Sequence, residues 1–255
     1  MAPRRATASA PGKLILFGEH AVVHGATALA GALSDLRAST SAEATADALV
    51  TVSVPDLGAL AAGVPRDGVP SCVHSWTMEQ LAAGLAPVLA AARAPAAGDY
   101  SLRPPAVRPT PEVVAALEAL AAECPDEPAR KALAPVLFLA CGILFEQLFG
   151  GGGGVGGGGG GGGVGGLRVT VHVPSLPVAA GLGSSAAFAV STAGALLDVR
   201  AQCDGGGLAG GGGGGGGGGW RRACDSWLAC VNAWAYSCEM LFHGAPSGLD
   251  NTVAT

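Results

Sequence analysis

Leu167-Arg-Val-Thr-Val-His-Val173 leads through Pro174 and Pro177 into Gly181-Leu-Gly183-Ser184-Ser185-Ala186-Ala187, and this stretch decides the fold. In its first half Leu, Val, Val and Val alternate with Arg, Thr and His, the pattern of a strand buried on one face. The two prolines mark a loop, the glycines a turn, and Ser184–Val199 then has the composition of a helix. Elsewhere strands and helices mix without a regular βαβ repeat, which predicts an α+β fold rather than a doubly wound sheet.

Upstream, residues 1–60 hold two short apolar runs, Lys13–Phe17 and Leu49–Val54, around an Ala/Thr-rich stretch. Residues 76–149 read as helices. Met78–Ala92 and Pro111–Glu123 are rich in Ala and Leu, with Pro111 where a first-turn proline is tolerated. Pro95–Pro109 between them is a loop. Downstream, Trp227, Leu228, Val231, Trp234, Ala235, Cys238 and Leu241 recur at helical spacing and predict a helix over Cys224–Phe242. Most of the 43 glycines fall in two tracts, Gly150–Gly166 and Gly205–Gly219. Such tracts bury almost nothing to offset their ordering entropy, so they are predicted to be flexible insertions in a single domain over 1–255.

Charge and cysteine content exclude several classes. Against 19 Asp and Glu there are 14 Lys and Arg, a net charge of −5, and no basic cluster marks a nucleic-acid surface. Seven cysteines without a CxxC pair argue against a disulfide framework and for a reducing compartment. Cys224, Cys230, Cys238 and His243 lie close together, but their spacings match no common zinc pattern, and small buried thiols explain them better. The most apolar segment, Ala132–Phe149, contains Pro135 and Glu146 and falls short of the ~20 residues of a membrane span. A buried core helix is the expectation, in a soluble cytoplasmic protein with no membrane or nucleic-acid partner.

Three motifs carry chemistry. In the first, Gly181 and Gly183 let the backbone approach a ligand, and Ser184 and Ser185 can cap the helix. The start of that helix offers free N–H groups to phosphate. An ordinary capped loop has the same composition. Gly181, Gly183 and Ala186 also satisfy a dinucleotide-binding spacing, but that fingerprint requires its first glycine directly after a strand, and a proline loop intervenes. No Gly-Lys-Ser/Thr follows, which excludes a Walker A loop.

The second motif is Glu239-Met-Leu-Phe-His243-Gly-Ala-Pro-Ser247-Gly248-Leu-Asp250-Asn251. Gly244 is placed to end the helix, Pro246 prevents its continuation, and Ser247-Gly248 is a tight turn presenting Asp250. One carboxylate can hold a cation carried by a nucleotide while the other accepts a proton. An exposed Glu and a turn-capping Asp are the plainer reading. Asn232, seven residues before Glu239, shares its helical face. The third motif is Ala10-Pro-Gly-Lys13-Leu-Ile-Leu-Phe-Gly18-Glu19-His20-Ala-Val-Val-His24-Gly25. A lysine on a rigid strand can set positive charge beside a reacting oxygen, although charged residues also simply end strands.

Taken in order, these three motifs resemble those of mevalonate kinases in the GHMP superfamily. The glycine-serine loop is common to that superfamily; the lysine strand and the H-G-x-P-S-G-x-D-N turn are more specific. The resemblance covers nearly all of the chain outside the glycine tracts. It implies the N-terminal domain of a GHMP kinase, a ribosomal protein S5 domain 2-like fold. It further implies transfer of the ATP γ-phosphoryl group to the 5-hydroxyl of mevalonate, in isoprenoid and sterol precursor synthesis. Carried over to this sequence, Ala179, Ala180, Gly181, Leu182, Gly183, Ser184 and Ser185 would wrap the nucleotide phosphates. Ser185 and Glu239 would hold Mg²⁺, Asp250 would act as base, and Lys13 would sit beside the reacting hydroxyl. Glu19 and His20 would lie near the mevalonate end, and a homodimer is among the family's expectations.

The pattern departs from the family in places. Asp56 stands near where an asparagine often contacts nucleotide, and Pro174, with Ser175 alongside, where a serine is usual. The family's glycine-rich third motif, in a C-terminal domain that closes over the site, does not occur before Thr255, so the expectation is a chain without that domain. Two alternatives follow: another GHMP small-molecule kinase, or a non-catalytic GHMP domain that binds nucleotide.

Overall fold

The computed structural model describes residues 4–18, 24–56, 72–93, 106–124, 127–150, 163–174, 176, 181–204, 218–244 and 246–255. Its elements are β1 (Arg5–Phe17), β2 (Leu29–Thr45), β3 (Leu49–Val54), β4 (Cys72–Thr77), α1 (Met78–Gly84), α2 (Ala86–Arg93) and α3 (Pro111–Ala121). These continue into α4 (Glu127–Ile143), α5 (Phe145–Phe149), β5 (Gly166–His172), α6 (Ser184–Cys203), α7 (Gly218–His243) and α8 (Leu249–Ala254). The mixture is α+β, as the sequence predicts.

Among the described residues the strands form one sheet in the order β1-β2-β5-β3-β4. Only β3 and β5 pair in parallel; the other neighbours are antiparallel. Register places Ala6, Ala8 and Ala10 beside Ala42, Thr40 and Ala38, then Val169 and Val171, then Val50 and Val52, then Trp76. These residues share one face, and the helices cover it. The opposite face carries Ser9, Arg37, Thr51, Ser75 and Arg168, with Arg37 donating to Ser9 Oγ at 2.7 Å. One wet face and one packed face is the usual arrangement of a largely antiparallel sheet.

The covered face is graded. Small residues on β1 and β2 let α6 approach closely: a Cβ added at Gly194 would stand 3.1 Å from Ala8 Cβ. This helix is buried nearly all round, through Ala186, Ala187, Phe188, Ala189, Val190 and Ala193 among others, as expected for a central helix. Thr40 is buried within that contact, and its hydroxyl is satisfied by Ser191 at 3.0 Å and Thr192 at 3.2 Å. On the larger-residue side, Trp76 is fully buried and donates from Nε1 to the Leu120 carbonyl at 3.1 Å. The carbonyls ending α4 receive two arginines, Arg93 to Gly142 O at 2.7 Å and Arg200 to Ile143 O at 2.6 Å, favourable at a helix C-terminus.

Several local expectations change. The helix expected over Met78–Ala92 is two, α1 and α2, and Ala132–Phe149 is divided between α4 and α5. Pro111 does open α3, at its first turn behind the cap Thr110. The glycine tracts are not insertions throughout their predicted spans. Gly166 lies in β5, where a side chain would meet Leu49 O at 2.5 Å, so glycine is required there by crowding. Gly218 and Gly219 lie in α7. Residues 151–162 and 205–217 fall outside the described residues.

Candidate active site

The site begins at a break in β1. Pairing with β2 shifts between Pro11 and Gly12, from Pro11↔Arg37 to Gly12↔Leu33. At this irregularity the loop before α6 lies against the strand: Lys13 N–H donates to Leu182 O at 2.9 Å. Gly12 permits the approach, since a Cβ there would stand 2.6 Å from Leu176 Cδ1 and 3.0 Å from Leu182 O.

Gly181 and Gly183 both take positive φ, +73° and +67°, which only glycine adopts freely. Gly183 is the N-cap of α6 and supplies no side-chain cap. The expected serine cap is therefore absent. Ser184 and Ser185 lie inside the first turn, which leaves their hydroxyls for other partners and the first N–H groups for an anion. The Lys13 stem runs directly over Gly183, where an added Cβ would be 2.6 Å from Lys13 Cγ.

Across from this turn stand α7 and α8. Gly244, at φ +66°, ends α7 with its N–H on Met240 O at 2.9 Å. Gly248, at φ +78°, caps α8 and packs on the Tyr236 ring. Asn251, which is buried, donates to Asn232 Oδ1 and so joins α8 to α7. With α8 held in this way, Asp250 Oδ1 comes within 3.1 Å of Lys13 Nζ. Lys13 is only 3% exposed, and a buried ammonium requires such a partner.

The second carboxylate, Glu239, is also 3% exposed. Its Oε2 accepts from Ser185 Oγ at 3.3 Å, and its buried Oε1 has no hydrogen-bond partner among the described residues. Burial pushes the Glu239 carboxyl above its ordinary range; Ser185 and His243 oppose the shift, and the Asp250 charge adds to it. A buried, under-satisfied carboxylate beside a hydroxyl at an anion-accepting helix start suits a divalent cation that arrives with phosphate. His243, which the sequence reading considered only as a zinc ligand and set aside, also faces this pair. Its i,i+4 relation to Glu239 was the signal for that placement. Cys230 and Cys238 are buried elsewhere, in the core.

Of the residues singled out in the sequence, the fold brings together Lys13, Leu182, Gly183, Ser185, Glu239 and Asp250. Glu19, His20, Ala179 and Ala180 lie outside the described residues. Asp56, marked as a departure, is buried at the end of β5: it accepts from Val173 N–H at 2.8 Å and faces His172 Nδ1 at 3.5 Å.

Fold and site together define an α+β protein with a glycine-bounded helix start facing a lysine–carboxylate pair and a second, buried carboxylate. Over nearly its whole length the chain is similar to mevalonate kinases. It is 32% identical over 250 residues to the mevalonate kinase of Homo sapiens, covering 97% of this chain and 51% of that protein. A mevalonate kinase of Gibberella zeae is 32% identical over 256 residues, covering 97% and 41%, and that of Arabidopsis thaliana 30% over 256 residues, covering 97% and 54%. The chain thus spans about half the length of the curated relatives it matches. No protein-family model matches it. Among solved structures, the Methanococcus jannaschii mevalonate kinase aligns with a TM-score of 0.47 at 15% identity, over 97% of this chain and 50% of that one. No helix of the described residues is long and apolar enough to cross a membrane.

Proposed function

We propose that this chain carries the nucleotide- and substrate-binding part of a mevalonate kinase, the N-terminal domain of the GHMP fold, and transfers the ATP γ-phosphoryl group to the 5-hydroxyl of mevalonate. The observation that carries this reading is the convergence of Lys13 and Asp250 on the uncapped start of α6. Similarity to mevalonate kinases along 97% of the chain supports mevalonate as the substrate.

In this mechanism the amides of the Gly181–Ser185 turn, with Ala179 and Ala180 before it, receive the phosphates. Ser185 and Glu239 would hold Mg²⁺, which would supply neutralisation of the phosphate charge. Asp250 accepts the proton of the 5-hydroxyl as that oxygen bonds to the γ-phosphorus. The bond from γ-phosphorus to the bridging oxygen breaks, and ADP leaves. The Lys13 ammonium, held rigidly by the strand, stabilises charge on the reacting oxygens. Glu19 and His20 are proposed at the mevalonate end on the strength of the motif. Seven cysteines without a CxxC pair support a cytoplasmic location.

The test is ADP release by the purified chain with mevalonate, galactose, homoserine or phosphomevalonate. Turnover with mevalonate above the others is expected; preference for another alcohol would overturn the substrate. A second reading is a domain that binds nucleotide without turnover. Binding of Mg²⁺·ADP with no ADP release from any alcohol decides for it.

A further inference from the structure

Ser185 Oγ, Glu239 Oε2 and His243 Nε2 form a triangle with edges of 3.3, 3.4 and 3.7 Å. Each edge is long for a hydrogen bond between such groups. All three are only somewhat wider than the roughly 3 Å between neighbouring donors around a cation with ~2.1 Å bonds. A surface Glu–His pair at i,i+4 would leave both groups in solvent. Here the Glu239 side chain is 4% exposed and its Oε1 is unpartnered among the described residues, while His243 is 57% exposed and free to adjust over it. No other element is needed to bring the ring there, because Glu239 and His243 share one face of α7 one turn apart.

We propose that His243 is a third protein donor of the divalent-cation site, so that the metal is held through an imidazole nitrogen as well as through oxygen. This rests on the reading of Ser185 and Glu239 as the residues that hold the cation. A mixed nitrogen and oxygen set suits Mn²⁺, Co²⁺ or Zn²⁺ better than a purely oxygen set does, whereas Mg²⁺ gains little from imidazole. The site then favours a transition-metal nucleotide over the magnesium one, and His243 sets that preference.

The test uses Mn²⁺·ADP bound to the chain and pulsed paramagnetic resonance, with the protein's histidines labelled with ¹⁵N. A directly coordinated imidazole is expected, shown by a nitrogen coupling that changes with the label and disappears in His243→Gln. In His243→Gln, Mn²⁺·ADP still binds, but its preference over Mg²⁺·ADP falls roughly tenfold. Absence of the coupling in the wild type, or its persistence in His243→Gln, overturns the proposal. The cation site is checked separately with Glu239→Gln. Loss of Mn²⁺·ADP binding there, without imidazole coupling in the wild type, leaves the site standing and removes only His243. Unchanged binding in Glu239→Gln, or no binding of Mn²⁺·ADP by the wild type, overturns both.

Discussion

Lys13 Nζ lies 3.1 Å from Asp250 Oδ1 and joins β1 to α8, with the lysine side chain 4% exposed and the aspartate 35%. The pair is therefore asymmetric. Asp250→Ala leaves a buried ammonium without its partner, whereas Lys13→Met leaves a carboxylate that water can reach. Asp250→Ala is expected to lower the thermal midpoint by several degrees more than Lys13→Met. Equal losses in a melting comparison would contradict the burial assigned to Lys13.

Turnover separates differently. Asp250→Asn keeps the shape and an oxygen toward Lys13 but cannot take a proton. We expect kcat to fall by roughly a hundredfold or more, with ADP affinity measured by calorimetry nearly unchanged. Near-normal turnover in this variant would sink the assignment of Asp250 as base.

The two glycines of the turn make a matched pair. Both have positive φ, so alanine at either costs about 1–2 kcal/mol in backbone strain. Nothing lies within 4 Å of an added Cβ at Gly181, whereas at Gly183 it strikes the Lys13 stem at 2.6 Å. Gly183→Ala should therefore lose kcat well beyond Gly181→Ala at comparable stability. Similar kcat values for the two, with matched unfolding curves, would show that Lys13 does not depend on this contact.

Glu239 predicts a pH dependence of stability. Burial raises its folded-state pKa above the ordinary 4.5, so ionisation favours the unfolded chain. Its unfavourable contribution is absent below the ordinary value. It grows as pH rises toward the folded-state pKa and stays constant above that. Glu239→Gln has no proton to lose, so its melting-point advantage over wild type should appear and then level off as pH rises. An advantage that grows toward acid would reverse the sign.

The α4–α7 contact predicts a pure packing defect. A Cβ at Gly142 would come within 2.7 Å of the Trp234 ring, which is fully buried and also lies near Phe138. Gly142→Ala is expected to destabilise by about 1–3 kcal/mol in denaturant unfolding, without altering the ratio of kcat to KM in the folded fraction. A neutral effect would mean that α4 and α7 are further apart.

Apart from α6, whose alanine-rich run follows the glycine turn, the elements readable from sequence were those whose buried faces carry large side chains. β3, β5, α3 and α7 announce themselves through Val, Leu and Trp at strand or helix spacing. β2 does not, although it alternates as strictly: Ala38, Thr40 and Ala42 are its buried positions. They are small because α6 packs close over them, and small residues give almost no contrast in hydropathy. β4 is obscured differently, with Val73 exposed while Cys72 and Trp76 are buried. The division of Met78–Ala92 into two helices was marked in the sequence, by Gly84 at the end of α1 and Pro87 in the first turn of α2, but a run otherwise rich in Ala and Leu reads as continuous.

By itself the sequence determined the α+β class, the glycine turn before a helix, and the three motifs that mark the resemblance to mevalonate kinases. Local pattern suffices for these, because strand alternation, turn chemistry and motif spacing are properties of neighbouring residues. Only the tertiary structure decided that Lys13 reaches Asp250, that Gly183 exists to pass the Lys13 stem, and that His243 comes to Ser185 rather than to the cysteines. Those relations join residues far apart in the chain. They are set by how closely α6 can approach an alanine-lined sheet and by how Asn251 holds α8 on α7, and no single segment encodes either.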